Sequence, residues 1–313
     1  MKKFSLYIIA ILFIVLCLFG CKKEHKSYKL PMQLISTFEI DDYAPIFQTT
    51  ADRLYVLNFK ECIINIYDHQ GNFINTFGGK GNGPGEFIMG AIFSFTSNKM
   101  IEVFDVINLR LIRFSEEGEY LSTTKTNKYY FHMNYTDSTQ RYLYRDYQNV
   151  DGKMVVYDIL AQEIGDTDPT ILLKKRLDKP ADIEYLRNFG LIAKSNSNGD
   201  TFILDRNAND FALKQFNAEH IEIDWKPNFQ NIGKDDLKSI NNISVWDNFL
   251  ALFTTTNSDE DIIRFYDLDK NYLGYLKDIH PDEICAIGNK LFIFTEKTES
   301  DGYLCETYKI GSE

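Results

Sequence analysis

The chain has 313 residues, 14% of them aromatic, and a formal net charge of −11. So acidic a body excludes nucleic acid as a partner, because neutralising phosphates takes clustered lysine and arginine. It repels anionic lipid as well, so charge does not hold it to a membrane.

From the N-terminus, Lys2 and Lys3 precede an almost unbroken apolar run, Phe4 to Phe19, which ends at Leu18-Phe19-Gly20-Cys21. The run is shorter than the roughly 20 residues of a spanning helix. A positive start, a short apolar centre and a small residue before the cut predict a secretory signal over residues 1–20. Its last four residues resemble the lipobox of bacterial lipoproteins, although Phe19 stands where a small residue is more usual. The resemblance implies that Cys21 becomes a diacylated N-terminus, anchored in the cell envelope and most simply in the outer membrane; an uncleaved membrane anchor is the alternative. Loss of Lys2 and Lys3 takes the net charge to −13, with Lys22, Lys23 and Lys26 as a local basic exception. Residues 21–31 are expected to form a lipidated tether.

From residue 32 to 313 one unit recurs: an apolar strand, a polar turn, a second strand ending in an aromatic, a short turn and another strand. The first copy runs Leu54-Tyr55-Val56-Leu57-Asn58, then Ile63 to Tyr67, then the turn Asp68-His69-Gln70-Gly71-Asn72 and Phe73-Ile74. The second runs Met100 to Asp105, then Leu111 to Phe114, then a turn through Gly118 to Tyr120-Leu121. Fainter copies centre on Tyr157, Phe216, Tyr266 and Tyr308. With Tyr67 and Phe114 these six anchors lie 47, 43, 59, 50 and 42 residues apart. That period suits a four-stranded propeller blade. In the turn, Asp accepts hydrogen bonds from its own following backbone and Gly takes the positive φ. The expected fold is therefore all-β, a six-bladed β-propeller of four-stranded antiparallel blades. A β-sandwich would not repeat one unit six times. The last copy stops after its third strand, while Gln33 to Ile40 precedes the first copy without a partner. This N-terminal strand is expected to close the ring as the outer strand of the sixth blade.

The run from Tyr67 through Gly78-Gly79-Lys80-Gly81-Asn82-Gly83-Pro84-Gly85 to Phe87 resembles an NHL-type propeller repeat. With the lipobox, the chain resembles the six-bladed propeller lipoproteins of Bacteroidetes. That resemblance implies a fold and a compartment rather than a chemistry.

No catalytic motif stands out. Gly78 to Gly85 lacks the Lys-Ser/Thr ending of a phosphate loop and precedes no helix, so it is expected to be a structural crossing between blades. His25, His69, His132, His220 and His280 form no metal-ligand spacing, and His69 and His220 are expected in exposed turns. Cys62, Cys285 and Cys305 are odd in number and irregularly spaced, as buried small hydrophobes would be. In a propeller the crossings between blades share one face with the turns joining second and third strands, and function concentrates in such loops. Asn58, Asp105, Arg110, Arg145, Asp146, Asp205 and Arg206 are expected on this face, just past second strands. Trp225 lies in an inter-blade crossing, and Tyr185 sits in a segment with a short helix expected from Pro180. Asn58, Asp105, Arg145, Asp205, Arg206 and Trp225 are the expected ligand contacts, for a glycan, a peptide or an envelope protein.

The expected function is a non-catalytic binding module held to the membrane through Cys21. Two alternatives stand beside it. One is a propeller hydrolase or lyase, with calcium possible at the central channel, since Asp105, Asp205 and Asn58 are oxygen donors that suit a hard cation. The other is a structural scaffold for partner envelope proteins. No cofactor is otherwise expected.

Overall fold

The computed structural model describes residues 30–41, 46–95, 99–128, 130–136, 139–151, 153–161, 170–177, 191–194, 201–205, 212–216, 222–223, 237–246, 248–269, 271–277, 279, 284–297 and 302–311. The leader, Cys21 and the tether up to residue 29 lie outside them, as do His25, His220, His280, Arg206, Trp225 and Tyr185 with its expected helix.

The first strand, β1 (Met32–Ile40), does not pair with its neighbour in the chain. Blade one consists of β2 (Ile46–Thr49), β3 (Arg53–Asn58), β4 (Ile63–Asp68) and β5 (Phe73–Gly78). Blade two is β6 (Gly90–Phe95), β7 (Ile101–Asp105), β8 (Arg110–Phe114) and β9 (Tyr120–Lys125). Blade three is β10 (Tyr130–Thr136), β11 (Thr139–Val150), β12 (Lys153–Ala161) and β13 (Thr170–Leu177). Blade four is β14 (Leu191–Lys194), β15 (Thr201–Asp205), β16 (Ala212–Phe216) and β17 (Glu222–Ile223). Blade five is β18 (Leu237–Val245), β19 (Phe249–Thr256), β20 (Asp261–Asp267) and β21 (Tyr272–Lys277). Blade six is β22 (Ile284–Ile287), β23 (Lys290–Glu296) and β24 (Tyr303–Ile310), and its outer strand is β1, paired antiparallel to β24. First strands face one another from blade to blade, β6 against β10, β10 against β14, β14 against β18, and β22 back against β2. The result is a closed six-bladed β-propeller, with the N-terminal strand completing the last blade.

The cores lie between blades. Where a blade is covered on both faces, its second strand is buried throughout rather than on alternate residues: in β3 every residue after Arg53 is buried, and in β7 all of them are, Glu102 and Asp105 included. Between blades one and two, Tyr55, Leu57, Ile64 and Ile66 pack against Phe87, Phe93, Val103 and Phe114. Each such side chain stabilises the fold by about 1.5–3 kcal/mol. At the ring's seam, Phe38 and Ile40 of β1 pack with Phe47, Val56, Phe292 and Phe294. Phe47 and Phe294 stack at 3.5 Å with their planes 4° apart.

The turns between third and fourth strands follow the expected chemistry. The Asp68 carboxylate accepts from the Gln70 and Asn72 amides at 2.9 and 2.8 Å, and Asp267 accepts from the Asn271 amide at 2.7 Å. Ser115 takes the same place in blade two. Gly71 and Gly118 have φ of 85° and 91°. Position adds a second demand, because Gly71 lies against Phe38 and Gly118 against Phe77, the outer strand of the preceding blade in each case. One expectation about these turns fails. His69 is in the turn but is buried, with its ring on Phe292, Nε2 3.1 Å from Thr49 Oγ1 and Nδ1 3.2 Å from Lys290 Nζ. The seam between blades six and one covers it, a contact that local sequence does not reveal. Burial first, and then the Lys290 charge, push the His69 pKa down.

Candidate functional site

Two kinds of loop meet on one end of blades one and two, as expected of the loop face: the β5–β6 crossing at residues 79–89 and the turns β3–β4 and β7–β8. A crossing of this length has many backbone groups to satisfy, and Asp105 and Arg110 bond several of them. They face each other across β7 and β8. Arg110 Nε donates to Asp105 Oδ2 at 3.0 Å, and its Nη2 donates to the carbonyls of Gly81 and Glu86 at 3.0 and 2.9 Å. Asp105 also accepts from Asn108 Nδ2 at 2.8 Å and from the amides of Ile88 and Met89 at 3.3 and 3.4 Å. Asn108 further donates to Asn82 Oδ1 at 3.0 Å. Burial pushes the Asp105 carboxyl up, but the donors from Asn108, Arg110 and the two amides outweigh it and hold its pKa below the ordinary value.

The glycine-rich crossing has no room for a phosphate. The Gly83 amide, the kind of donor such a site would need, is taken by Glu86 Oε2 at 2.7 Å. Gly78, Gly79 and Gly85 have positive φ, and Phe87 is fully buried in the core between blades one and two. Cys62 ties the neighbouring turn to the same crossing, its Sγ donating to the Ile88 carbonyl at 3.1 Å. Asn58 accepts the Glu61 amide at 2.9 Å and so closes the β3–β4 turn. Against this bonded frame, Met89 and Ile107 stand 45% and 58% exposed. The Val106 amide donates to the Met89 carbonyl at 3.1 Å, which sets their two segments side by side.

The expected site residues thus divide. Asn58 and Asp105 end second strands on the loop face, as expected, but both are buried and hold loops. Asp205 ends β15 opposite Ala212, the register that Asp105 has opposite Arg110. Arg145 and Asp146 are not past a strand end: β11 continues to Val150, and Arg145 pairs with Asp158 inside it. Sequence patterning stopped that strand too early because Tyr142-Leu143-Tyr144 was its last apolar run. Asn82, Asn108, Met89 and Ile107 were missed. The sequence held no signal for the first two, whose side chains bond to each other and, through Asn108, to Asp105. Among the described residues, no group of three or more His, Cys, Asp or Glu side chains is placed to hold a metal ion. No described helix is long and apolar enough to cross a membrane.

A family model described as a 6-bladed beta-propeller matches residues 31–173. Among solved structures the chain is similar to a protein from Bacteroides fragilis described as exported, with 14% identity and a TM-score of 0.57 over 92% of this chain and 97% of that one. It is similar to a member of the DUF4221 family from Bacteroides vulgatus, at 10% identity and a TM-score of 0.52 over 92% and 100%. It is also similar to virginiamycin B lyase from Staphylococcus aureus, at 9% identity and a TM-score of 0.51 over 90% and 100%. No curated protein matches the chain by sequence. Sheet topology, family model and solved neighbours agree on one architecture, the six-bladed β-propeller.

Proposed function

We propose that this protein is an exported, lipid-anchored envelope protein whose propeller, built from NHL-like units, serves as a non-catalytic binding module through its loop face. The observation that carries the reading is the state of Asp105. A carboxylate that accepts from Asn108, Arg110 and two backbone amides, at 0% exposure, cannot move a proton or ligate a metal without dismantling the rim it supports. What that rim presents to solvent is apolar surface at Met89 and Ile107 beside polar loop backbone, which suits recognition of a shape. Trp225, Asp205 and Arg206 complete the face in this reading, and the ligand is a glycan, a peptide or a loop of an envelope protein. The signal-like leader and Cys21 support the anchor, in keeping with an exported neighbour of the same fold.

Two measurements test it. Labelling cells with a fatty-acid analogue should mark the wild type and leave Cys21→Ala unmarked; an unmarked wild type overturns the anchor. The full chain is then probed on arrays of polysaccharides and of peptides. Met89→Ser with Ile107→Ser, and Trp225→Ala with Arg206→Ala, should each weaken capture about tenfold or more, equivalent to roughly 1.4 kcal/mol. Undiminished capture by both variants, or chemical turnover of the captured ligand, overturns the binding reading.

A further inference from the structure

We infer that the rim of blade two is a peptide site, where Asn82 and Asn108 bond the backbone of an uncharged extended segment and Met89 and Ile107 hold its apolar side chain. The inference names the ligand of the loop face proposed above and rests on that reading. It starts from the buried Asp105 carboxylate, which can only accept hydrogen bonds. Asn108 Nδ2 lies 2.8 Å from Asp105 Oδ2, so a nitrogen must stand there. The same Nδ2 donates to Asn82 at 3.0 Å, and the atom that receives it must then be Asn82 Oδ1. The orientation of both amides therefore follows from the carboxylate. Both hydrogens of Asn108 Nδ2 are used, which leaves its Oδ1 as an acceptor. Asn82 has turned its oxygen to Asn108, which leaves its Nδ2 as a donor. Both residues are exposed, and among the described residues neither of these two atoms has a partner. The Asn82 backbone is held as well, because Arg110 Nη1 donates to its carbonyl at 3.3 Å. A fork fixed in this way loses little freedom when it binds.

Three observations select the ligand. The first is charge. The chain carries 45 acidic and 34 basic side chains, yet residues 81–89 and 106–109 contain a single charged group, Glu86. Glu86 is folded back over Gly81 and Gly83, with Oε2 accepting from the Gly83 amide at 2.7 Å. A charged ligand would give up hydration on this rim with no opposite charge to replace it, so an uncharged one is favoured. The second is the polar pair itself. One donor and one acceptor match the C=O and N–H that every peptide residue other than proline carries. The third is the apolar part. Met89 and Ile107 are 45% and 58% exposed. Ile107 precedes Asn108, and the Val106 amide donates to the Met89 carbonyl, so both adjoin the fork. The one aromatic residue of these two segments, Phe87, is fully buried. A sugar ring stacks its C–H face on a flat aromatic, which this rim lacks, whereas a flexible thioether adapts to the side chain of a peptide.

The test uses the full chain on arrays of polysaccharides and of pentapeptides blocked at both ends. Pentapeptides with an apolar central residue should be captured. The one held most tightly is then compared with its form N-methylated at the central residue, which keeps the side chain and removes the N–H. That form should bind about tenfold or more weakly. Asn82→Asp keeps the oxygen that accepts from Asn108 and exchanges only the donor for an acceptor. It should weaken capture of the unmodified pentapeptide about tenfold or more, with the melting temperature unchanged. The Asn82 side-chain amide resonance, identified by its loss in Asn82→Asp, should shift when the pentapeptide is added to the wild type. If N-methylation or Asn82→Asp leaves peptide capture intact, or that resonance does not move, the amide fork is overturned and the binding module stands. Capture of polysaccharides alone overturns the peptide and likewise leaves the module standing. Capture on neither array overturns the module, and the peptide site falls with it.

Discussion

A carboxylate removed from water costs several kcal/mol unless its lone pairs are filled, and at Asp105 they are. Because its folded pKa lies below the unfolded value near ~3.9, the carboxylate contributes stability that is full above about pH 4 and is lost as pH falls through the folded pKa. Asp105→Asn keeps the shape, removes the charge opposite Arg110 and turns one acceptor into a donor facing amides. Its cost at neutral pH should be about 2–4 kcal/mol, read from urea midpoints. The gap to wild type should narrow once the acid limb is reached; equal stability at pH 7, or a gap that stays constant into acid, refutes the assignment. Residue-scale legibility ends at this kind of position. The sequence marks Asp105 and Arg110 as polar groups past a strand end, but a solvent-facing pair and a pair turned inward onto a glycine-rich crossing have the same local pattern. Only the length of the glycine-rich, side-chain-poor crossing from Gly78 to Gly85 hints that donors are needed nearby.

At the scale of the element, the aromatic-Asp-x-x-Gly unit made the hairpins legible because each residue in it has one physical task. Blade three shows what happens without it. The sequence after β12 lacks that unit, and the sequence anchor Tyr157 lies one pleat away from Ile159, the residue that occupies the anchor's register opposite Ile171. Alternation has a period of two, so it cannot distinguish positions two residues apart. The registers of blades one and two, by contrast, follow from their turns, and there glycine serves both conformation and packing. A Cβ at Gly118 would lie 2.5 Å from Phe77, on a backbone with φ of 91°. Gly118→Ala should therefore cost about 2–3 kcal/mol, more than strain alone, because Phe77 must leave its seat between the blades. Phe77→Leu in the same background, which reduces the clash, should recover part of that loss. Additive destabilisation by the two changes in urea titrations would show that the contact between blades is not the cause.

For the whole molecule, six weak repeats sufficed to give blade number and closure, since a ring tolerates no unpaired blade edge at its seam. The chemistry of the loop face was not legible in the same way, because loops carry no shared repeat from which to infer a partner. Among the described residues no disulfide holds the seam: Cys62, Cys285 and Cys305 are free and buried, and burial pushes the Cys285 and Cys305 thiols up. Closure therefore depends on β1, which pairs with β24 along its length and seats Phe38 and Ile40 among Phe47, Phe292 and Phe294. Deleting residues 33–40 exposes the β24 edge, empties the seat of two buried side chains and removes the surface on which Gly71 rests. Those two side chains alone are worth about 3–6 kcal/mol, a large share of the 5–15 kcal/mol typical of a folded domain. The melting temperature should fall by about 10 °C or more, or the cooperative transition should vanish. Loss should reach blade two as well as the seam, since β3 turns Leu54 and Val56 into the seam and Tyr55 and Leu57 into the core that blades one and two share. A truncated ring that melts at the wild-type temperature would mean that the other strands hold the circle without β1.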